Sequence, residues 1–482
     1  MLAGTGSDVG KSLIATGLCR IFRQDGYRPA PFKAQNMALN SYVTPDGLEI
    51  GRAQAVQAEA AGVPCSSDMN PILLKPSGEH RSQVVLEGRP SGECDAFRYF
   101  HKEGKEALRA LACRAYDRLA GCYNPVVMEG AGSISELNLR DGDIVNLPMA
   151  AYAGAKVLLV ADIDRGGVFA SAYGSVMLQS EADRARIKGI IVNKFRGDLR
   201  LFREGRRLLE RICGVPVLGV VPMAAHIHID EEDSVALSAK KRRPSGGKVN
   251  VGVVLLKHIS NFTDFNHLER HPDVNLFYAA EPEDLQDADI VILPGSKNTL
   301  SDLLDLRHRG IAKAVCEARA RGKTVIGICG GYQMMGTEVS DPDGIEGTPR
   351  SLPGLGLLPV KTVMTAEKLT RQLSFSFRDD PRPCRGYEIH MGRTDSDRPF
   401  NVLSDGMPEG CMADARCFGS YLHGLLDNDA VTDFLLAPFL REEERGIVDR
   451  TAFREQQYDR LADWLRTYMD IPELYRILSC DD

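Results

Sequence analysis

Residues 324–333, Thr-Val-Ile-Gly-Ile-Cys-Gly-Gly-Tyr-Gln, restrict the fold more than any other stretch of the chain. A β-type apolar run, 325–328, ends in a cysteine flanked by glycines, and a helix-forming segment follows. Gly327-Ile328-Cys329-Gly330-Gly331 is the cysteine form of the strand–nucleophile–helix elbow. A side chain held in a strained turn at a strand end needs neighbours that tolerate unusual backbone angles and close packing. The turn puts the sulfur at a helix N-terminus, where partial positive charge favours a thiolate. It also leaves the Gly330 N–H facing a developing oxyanion. A buried structural cysteine on a strand is the blander reading, and it does not account for the glycines.

A nucleophilic thiol needs a base. His423, in Gly419-Ser420-Tyr421-Leu422-His423-Gly424, ends a short β-type run and is the first candidate. His390, in Gly386-Tyr387-Glu388-Ile389-His390-Met391-Gly392, is the second. No third member of a triad is readable: two residues after His423 stands Leu425, where amidotransferases of the triad class carry glutamate. The strand 290–293 ends at Pro294-Gly295-Ser296, so Gly295 is a natural second source of an oxyanion N–H.

The chain begins with a different chemistry. Gly4-Thr5-Gly6-Ser7-Asp8-Val9-Gly10-Lys11-Ser12 is a phosphate loop with its first glycine shifted, and its informative part is Gly10-Lys11-Ser12. Backbone N–H groups cradle phosphates there, Lys11 neutralises β/γ charge, and Ser12 can bind Mg²⁺. The strand before it, residues 1–3, is short for a core strand and points to a start a few codons upstream. A helix is expected over 13–24 and another over 51–61, with Arg52, Gln54, Gln57 and Glu59 on its polar side. Lys33-Ala34-Gln35-Asn36-Met37-Ala38-Leu39-Asn40-Ser41 follows a strand with a lysine and a run of amides, a pattern suited to substrate or phosphate recognition. Residues 94–119 read as an amphipathic crossover helix. Further strands end at Lys75, at Glu129, at Asp162 and at Asn193-Lys194. Glu129 is the expected Mg²⁺ partner, Asp143 a further metal or substrate candidate, and Asn193 a candidate adenine contact. Charged groups at the carboxyl ends of successive strands mark the ligand edge of an open α/β sheet.

At 482 residues the chain has room for two or three domains. We expect an α/β nucleotide domain over 1–237, a charged Gly/Ser/Pro linker over 238–248, a second α/β domain over 249–435, and a helical segment over 436–482. The net charge of −7 argues against a general nucleic-acid binder. No apolar stretch approaches the ~20 residues that span a bilayer, and the N-terminus reads as a phosphate loop rather than a signal peptide. Twelve scattered cysteines with no Cys-x-x-Cys pair suit reduced cytoplasmic thiols. No oligomeric state is read from the sequence.

A thiol that attacks a carbonyl can free ammonia from glutamine, and ATP can activate a carboxylate as an acyl phosphate. Ammonia then gives an amide, so an amide ligase joins the two halves most economically. The motifs 33–41, Arg52-Ala53-Gln54, Met69-Asn70-Pro71, Glu129-Gly130-Ala131-Gly132-Ser133, 161–167, 193–198, 293–299, the cysteine elbow, 386–390 and 421–424 run along nearly the whole chain. On them the chain resembles the cobyric acid synthase family, glutamine-dependent amidotransferases of cobalamin biosynthesis.

The resemblance implies a dethiobiotin-synthetase-like P-loop domain followed by a class I glutamine amidotransferase-like domain. It implies amidation of the b, d, e and g carboxylates of the corrinoid adenosylcobyrinic acid a,c-diamide, at the expense of glutamine and ATP with Mg²⁺, giving adenosylcobyric acid. Carried over by motif, Cys329 is the nucleophile and His423 its base, in a family described as lacking the triad glutamate. Lys11 and Ser12 would hold ATP and Mg²⁺ with Glu129, and Lys33 would steady the acyl-phosphate charge. The nearest alternative is a cobyrinic acid a,c-diamide synthase-like amidotransferase. A partition-type ATPase switch would have no use for Cys329. A regulatory protein with a dead amidotransferase domain would not keep both Cys329 and His423.

Overall fold

In the computed structural model, residues 1–76, 81–95, 105–224, 226–230, 232, 248–347, 350–441 and 450–480 are described. The first half is built on parallel strands in the order Leu2–Gly4, Val157–Asp162, Ile187–Phe195 and Val217–Pro222. The parallel pair Ala30–Phe32 and Val126–Met128 joins this sheet through a bridge between Leu2 and Glu129. These strands are mostly apolar and buried, as a parallel sheet covered by helices requires. Their carboxyl ends carry Gly4, Lys33, Glu129, Asp162 and Asn193 to one edge. The helix Lys11–Gln24 begins directly after Gly10, whose φ of 96° closes the phosphate loop.

Two small sheets grow out of this half. One is the hairpin Ser41–Val43 with Glu49–Gly51. The other runs Gln35–Met37, Ile72–Pro76, Arg81–Leu86 and Arg89–Asp95. The helix expected over 94–119 is therefore corrected at its start, since Cys94 and Asp95 are strand. The helix itself is Lys105–Ala120, and residues 96–104 lie outside the described residues. Strong local pairing with Arg81 and Ser82 outweighs the helical pattern there.

The second half centres on the strand order Val274–Ala279, Val249–Val254, Ile290–Leu293, Thr324–Ile328, Cys417–Ser420 and Cys411–Asp414. The first five are mutually parallel and the last is antiparallel. Beside it lies a sheet dominated by the long hairpin Lys361–Phe377 and Cys384–Asp395. Between the strands Ile290–Leu293 and Thr324–Ile328 run two helices, Thr299–His308 and Ile311–Ala320, separated at Gly310, which turns the chain with a φ of 76°. The expected linker falls, except for Lys248, outside the described residues.

The C-terminal helices Arg450–Tyr468 and Ile471–Ser479 return to the first half. Leu461 and Leu465 are fully buried against the phosphate-loop helix, and a Cβ at Gly17 would lie 2.3 Å from Leu465 Cδ1. Burial of two leucines contributes about 3–6 kcal/mol. Arg20 adds charge-assisted bonds to Asp459 and Glu455, both at 2.8 Å. Among the described residues no helix is long and apolar enough to cross a membrane.

Candidate active site

The thiol site forms at the carboxyl edge of the second sheet. Cys329 leaves the strand Thr324–Ile328 with φ 51° and ψ −108°, a strained conformation for a residue with a Cβ. The turn survives because its neighbours have no side chains. A Cβ on Gly331 would sit 2.0 Å from the Leu293 carbonyl oxygen, and one on Gly330 would sit 2.7 Å from the Ser296 nitrogen. Cys329 is buried, and its Sγ lies 3.7 Å from the Ile389 carbonyl. Gly295 and Gly330, the two expected oxyanion donors, are both brought here. Gly295 packs so close to the imidazole that a Cβ on it would be 3.1 Å from His423 Cε1.

His423 follows the strand Cys417–Ser420 and exchanges two backbone hydrogen bonds with Tyr387, at 3.1 and 2.9 Å. Its ring stacks on the Tyr387 ring with centroids 5.3 Å apart. Its Nδ1 lies 2.7 Å from Asp264 Oδ2, while the other oxygen, Oδ1, accepts the Gly424 N–H at 3.0 Å. All three groups are buried. Burial would lower the His423 pKa, but the Asp264 carboxylate and the neighbouring Cys329 raise it to about 10. Nε2 is buried and faces Cys329, with no other partner among the described residues.

Asp264 is the group that the sequence did not reveal. It stands 159 residues before His423, in the 3₁₀ turn Phe262–Phe265, and no motif marks it. Leu425, where a glutamate would be expected, is instead a core residue. His390 takes another place: it stacks on Tyr421 at 3.7 Å, and its Nδ1 meets the Gly392 carbonyl at 2.8 Å.

A buried charge cluster lies alongside. Glu49, from the first half, bridges Lys75 at 2.8 Å and Lys368 from the second half. Burial would raise the Glu49 carboxyl, but Lys368 and Lys75 hold it well below the usual carboxylate range. Lys368 is close enough to Cys329 to feel its charge.

The nucleotide edge is a cavity of about 980 Å³ lined among others by Lys11, Ser12, Lys33, Glu129, Asp143 and Trp464. Lys11 Nζ donates to the carbonyls of Gly6 at 2.9 Å and Gly132 at 3.0 Å. Glu129 is the hub: its Oε1 accepts from Lys33 at 2.9 Å and from Ser12 at 2.8 Å, and its Oε2 accepts from Gln57 at 2.7 Å. Burial works against its charge, and Lys33, Gln57 and Ser12 together bring its pKa below the ordinary value. Gln57, expected on a polar helix face, is therefore turned inward. Asn193 donates to the Val9 carbonyl at 2.8 Å, beneath the loop. One oxygen of Asp143 accepts the N–H groups of Val145 and Asn146 at 2.8 and 2.9 Å, which shapes the turn before the helix Leu147–Tyr152. Among the described residues, no three His, Cys, Asp or Glu side chains converge to hold a metal ion. The Ser12–Glu129 pair is an oxygen donor set of the kind that suits Mg²⁺ alongside phosphate oxygens.

A phosphate-loop half and a cysteine–histidine–carboxylate half in one chain define a glutamine-dependent carbon–nitrogen ligase. The comparisons agree with that class and narrow it. Residues 1–235 match the CobQ/CobB/MinD/ParA nucleotide binding domain, and residues 250–431 match the CobB/CobQ-like glutamine amidotransferase domain. The chain is 61% identical to the cobyric acid synthase of Phocaeicola vulgatus, over 100% of this chain and 98% of that one. It is 62% identical to that of Bacteroides fragilis with the same coverages, and 54% identical to that of Parabacteroides distasonis over 99% and 98%. The chain belongs to the cobyric acid synthase family, and it is an enzyme of glutamine-dependent amidation in cobalamin biosynthesis.

Proposed function

We propose that Cys329, His423 and Asp264 release ammonia from glutamine, and that the nucleotide half uses it to amidate a corrinoid carboxylate activated by ATP. The observation that carries this reading is a buried histidine fixed by a carboxylate through Nδ1 beside a strained cysteine. The thiolate of Cys329 attacks the glutamine amide carbon, and the carbonyl oxygen takes up charge against the Gly295 and Gly330 N–H groups. His423 Nε2 gives its proton to the departing ammonia, leaving a thioester. The same nitrogen then takes a proton from water, which hydrolyses the thioester to glutamate and frees the thiol.

In the nucleotide half, Lys11 and the loop N–H groups bind the ATP phosphates, and Asn193 braces the loop from below. Mg²⁺, held by Ser12 and Glu129, would neutralise phosphate charge. Lys33 sits where a transferred phosphoryl group would need a cation. Ammonia attacks the acyl phosphate, phosphate leaves, and an amide remains. By family membership, the acceptors are the b, d, e and g carboxylates of adenosylcobyrinic acid a,c-diamide. Eleven of the twelve cysteines are free, which supports a reducing, cytoplasmic setting.

The test is mass spectrometry of adenosylcobyrinic acid a,c-diamide incubated with the protein, ATP, Mg²⁺ and glutamine. Four successive replacements of hydroxyl by amino are expected. An unchanged corrinoid, with glutamine still consumed, would point to another carboxylate acceptor.

A further inference from the structure

The amide run 35–41 was expected to meet substrate, but its last two residues face the other way, into the seam between the halves. Asn40 is 0% exposed and Asn261 3%. Asn40 Oδ1 accepts the Phe262 N–H at 3.2 Å, and Asn261 Oδ1 accepts the Ser41 N–H at 3.0 Å. Each half thus offers an asparagine oxygen to the other's backbone. Asn40 is itself steadied by a 3.0 Å bond from Nδ2 to the Glu232 carbonyl.

What this clasp holds is the segment that organises the thiol site. Asn261 sits at φ 52°, a left-handed conformation that Gly, Asn and Asp adopt with least strain. The Asp264 N–H donates back to its carbonyl at 3.0 Å, so the side chain of Asn261 and the position of Asp264 belong to one turn. Just upstream, Ile259–Ser260 pairs with Gly295–Ser296. Residues 259–264 therefore set both the carboxylate behind the His423 ring and the Gly295 backbone in front of it.

We propose that Asn40 and Asn261 are positioning residues for glutamine hydrolysis: clasped across the seam, they let the nucleotide half hold Asp264 in register with His423. The inference rests on the reading that Cys329 and His423 hydrolyse glutamine.

The test uses full-length variants. Asn261→Gly keeps the left-handed backbone and removes the acceptor. Asn261→Asp keeps both, and Asn40→Ala breaks the other arm should Asn261→Gly not fold. Glutamine hydrolysis, its pH profile and ammonium-supported amidation are measured on each. Because small misplacements of a catalytic group are costly in rate, kcat for glutamine hydrolysis should fall about tenfold in Asn261→Gly and Asn40→Ala. The basic limb of kcat/KM for glutamine should move to lower pH as His423 loses support from Asp264. Asn261→Asp should stay within about twofold of the parent, and ammonium-supported amidation should be retained throughout. An unchanged kcat in Asn261→Gly would overturn the proposal. So would an equal loss with ammonium that Asn261→Asp does not restore, since the clasp would then serve folding alone. A parent protein that does not hydrolyse glutamine would instead overturn the reading beneath it.

Discussion

The two halves keep their buried charges in opposite ways. In the nucleotide half the groups around Glu129 are turned onto one another: Ser12, Lys33 and Gln57 all meet Glu129, and Lys11 meets the carbonyls of Gly6 and Gly132. In the amidotransferase half the His423 ring is fixed through Nδ1 by Asp264, and its Nε2 is left to face Cys329. The first arrangement must exchange internal partners for phosphate and metal. The second is assembled already and lacks only its substrate. Damage to the first should therefore weaken folding and ligand use together, whereas damage to the second should strike one chemical step.

Cys329→Ala strikes the prearranged half hardest. Glutamine hydrolysis and glutamine-dependent amidation should fall by about 10⁴-fold or more, as when a nucleophile is removed. Ammonium-supported amidation should persist, and a variant that still amidated from glutamine at full rate would sink the role given to Cys329. Next in size is Glu129→Gln, expected to lower amidation from either nitrogen source by about 10³-fold through lost metal and phosphate ordering. It also leaves Lys33 buried without its carboxylate, a loss of about 3–5 kcal/mol in a denaturant titration. Glutamine hydrolysis by the folded fraction should change little. Equal losses in both activities would show that the halves are not separable in this sense.

Which of these groups could be read in advance depends on how local their signals are. The cysteine elbow and the phosphate loop are contiguous, because each is a turn whose geometry its own glycines decide, and the α/β order of both halves followed from strand and helix periodicity. His423 was visible because it ends a strand of the same sheet. Asp264 was not: its carboxylate reaches His423 only after five strands have been laid parallel, and a lone aspartate after Asn261-Phe262-Thr263 carries no spacing rule. Asn40 and Ser41 were visible in the amide run and Lys75 as a strand end, but their partners Phe262, Asn261 and the Glu49–Lys368 pair belong to other segments. The C-terminal segment read as helical without showing that its helix Arg450–Tyr468 lines the nucleotide cavity. Polar residues advertise that they need a partner and not which partner they will find.

Asp264→Asn tests the prearranged half at its least visible point. Glutamine hydrolysis should fall by about 10²-fold, because an amide neither holds the imidazole tautomer nor offsets its charge. Cys329→Ala and Asp264→Asn together should cost little more than Cys329→Ala alone, since both act on one step.

The smallest effect is on stability against pH, and it should separate the halves by direction. Glu129 has a folded pKa below its ordinary value, so its contribution is present above that ordinary value and is lost as pH falls through the folded one. His423 has a folded pKa raised to about 10 from an ordinary 6.5, so its contribution is full below 6.5 and is lost as pH rises towards 10. Between pH 7 and 9 the parent should therefore lose roughly 2 kcal/mol through His423, by the linkage between proton binding and folding. Asp264→Asn should flatten that alkaline slope, and Glu129→Gln should flatten the acid one and leave the alkaline one in place. Denaturant midpoints across the pH range decide it. An alkaline slope that survives Asp264→Asn would mean that His423 does not carry its proton in the folded protein, and the imidazole would then have to act from its neutral form.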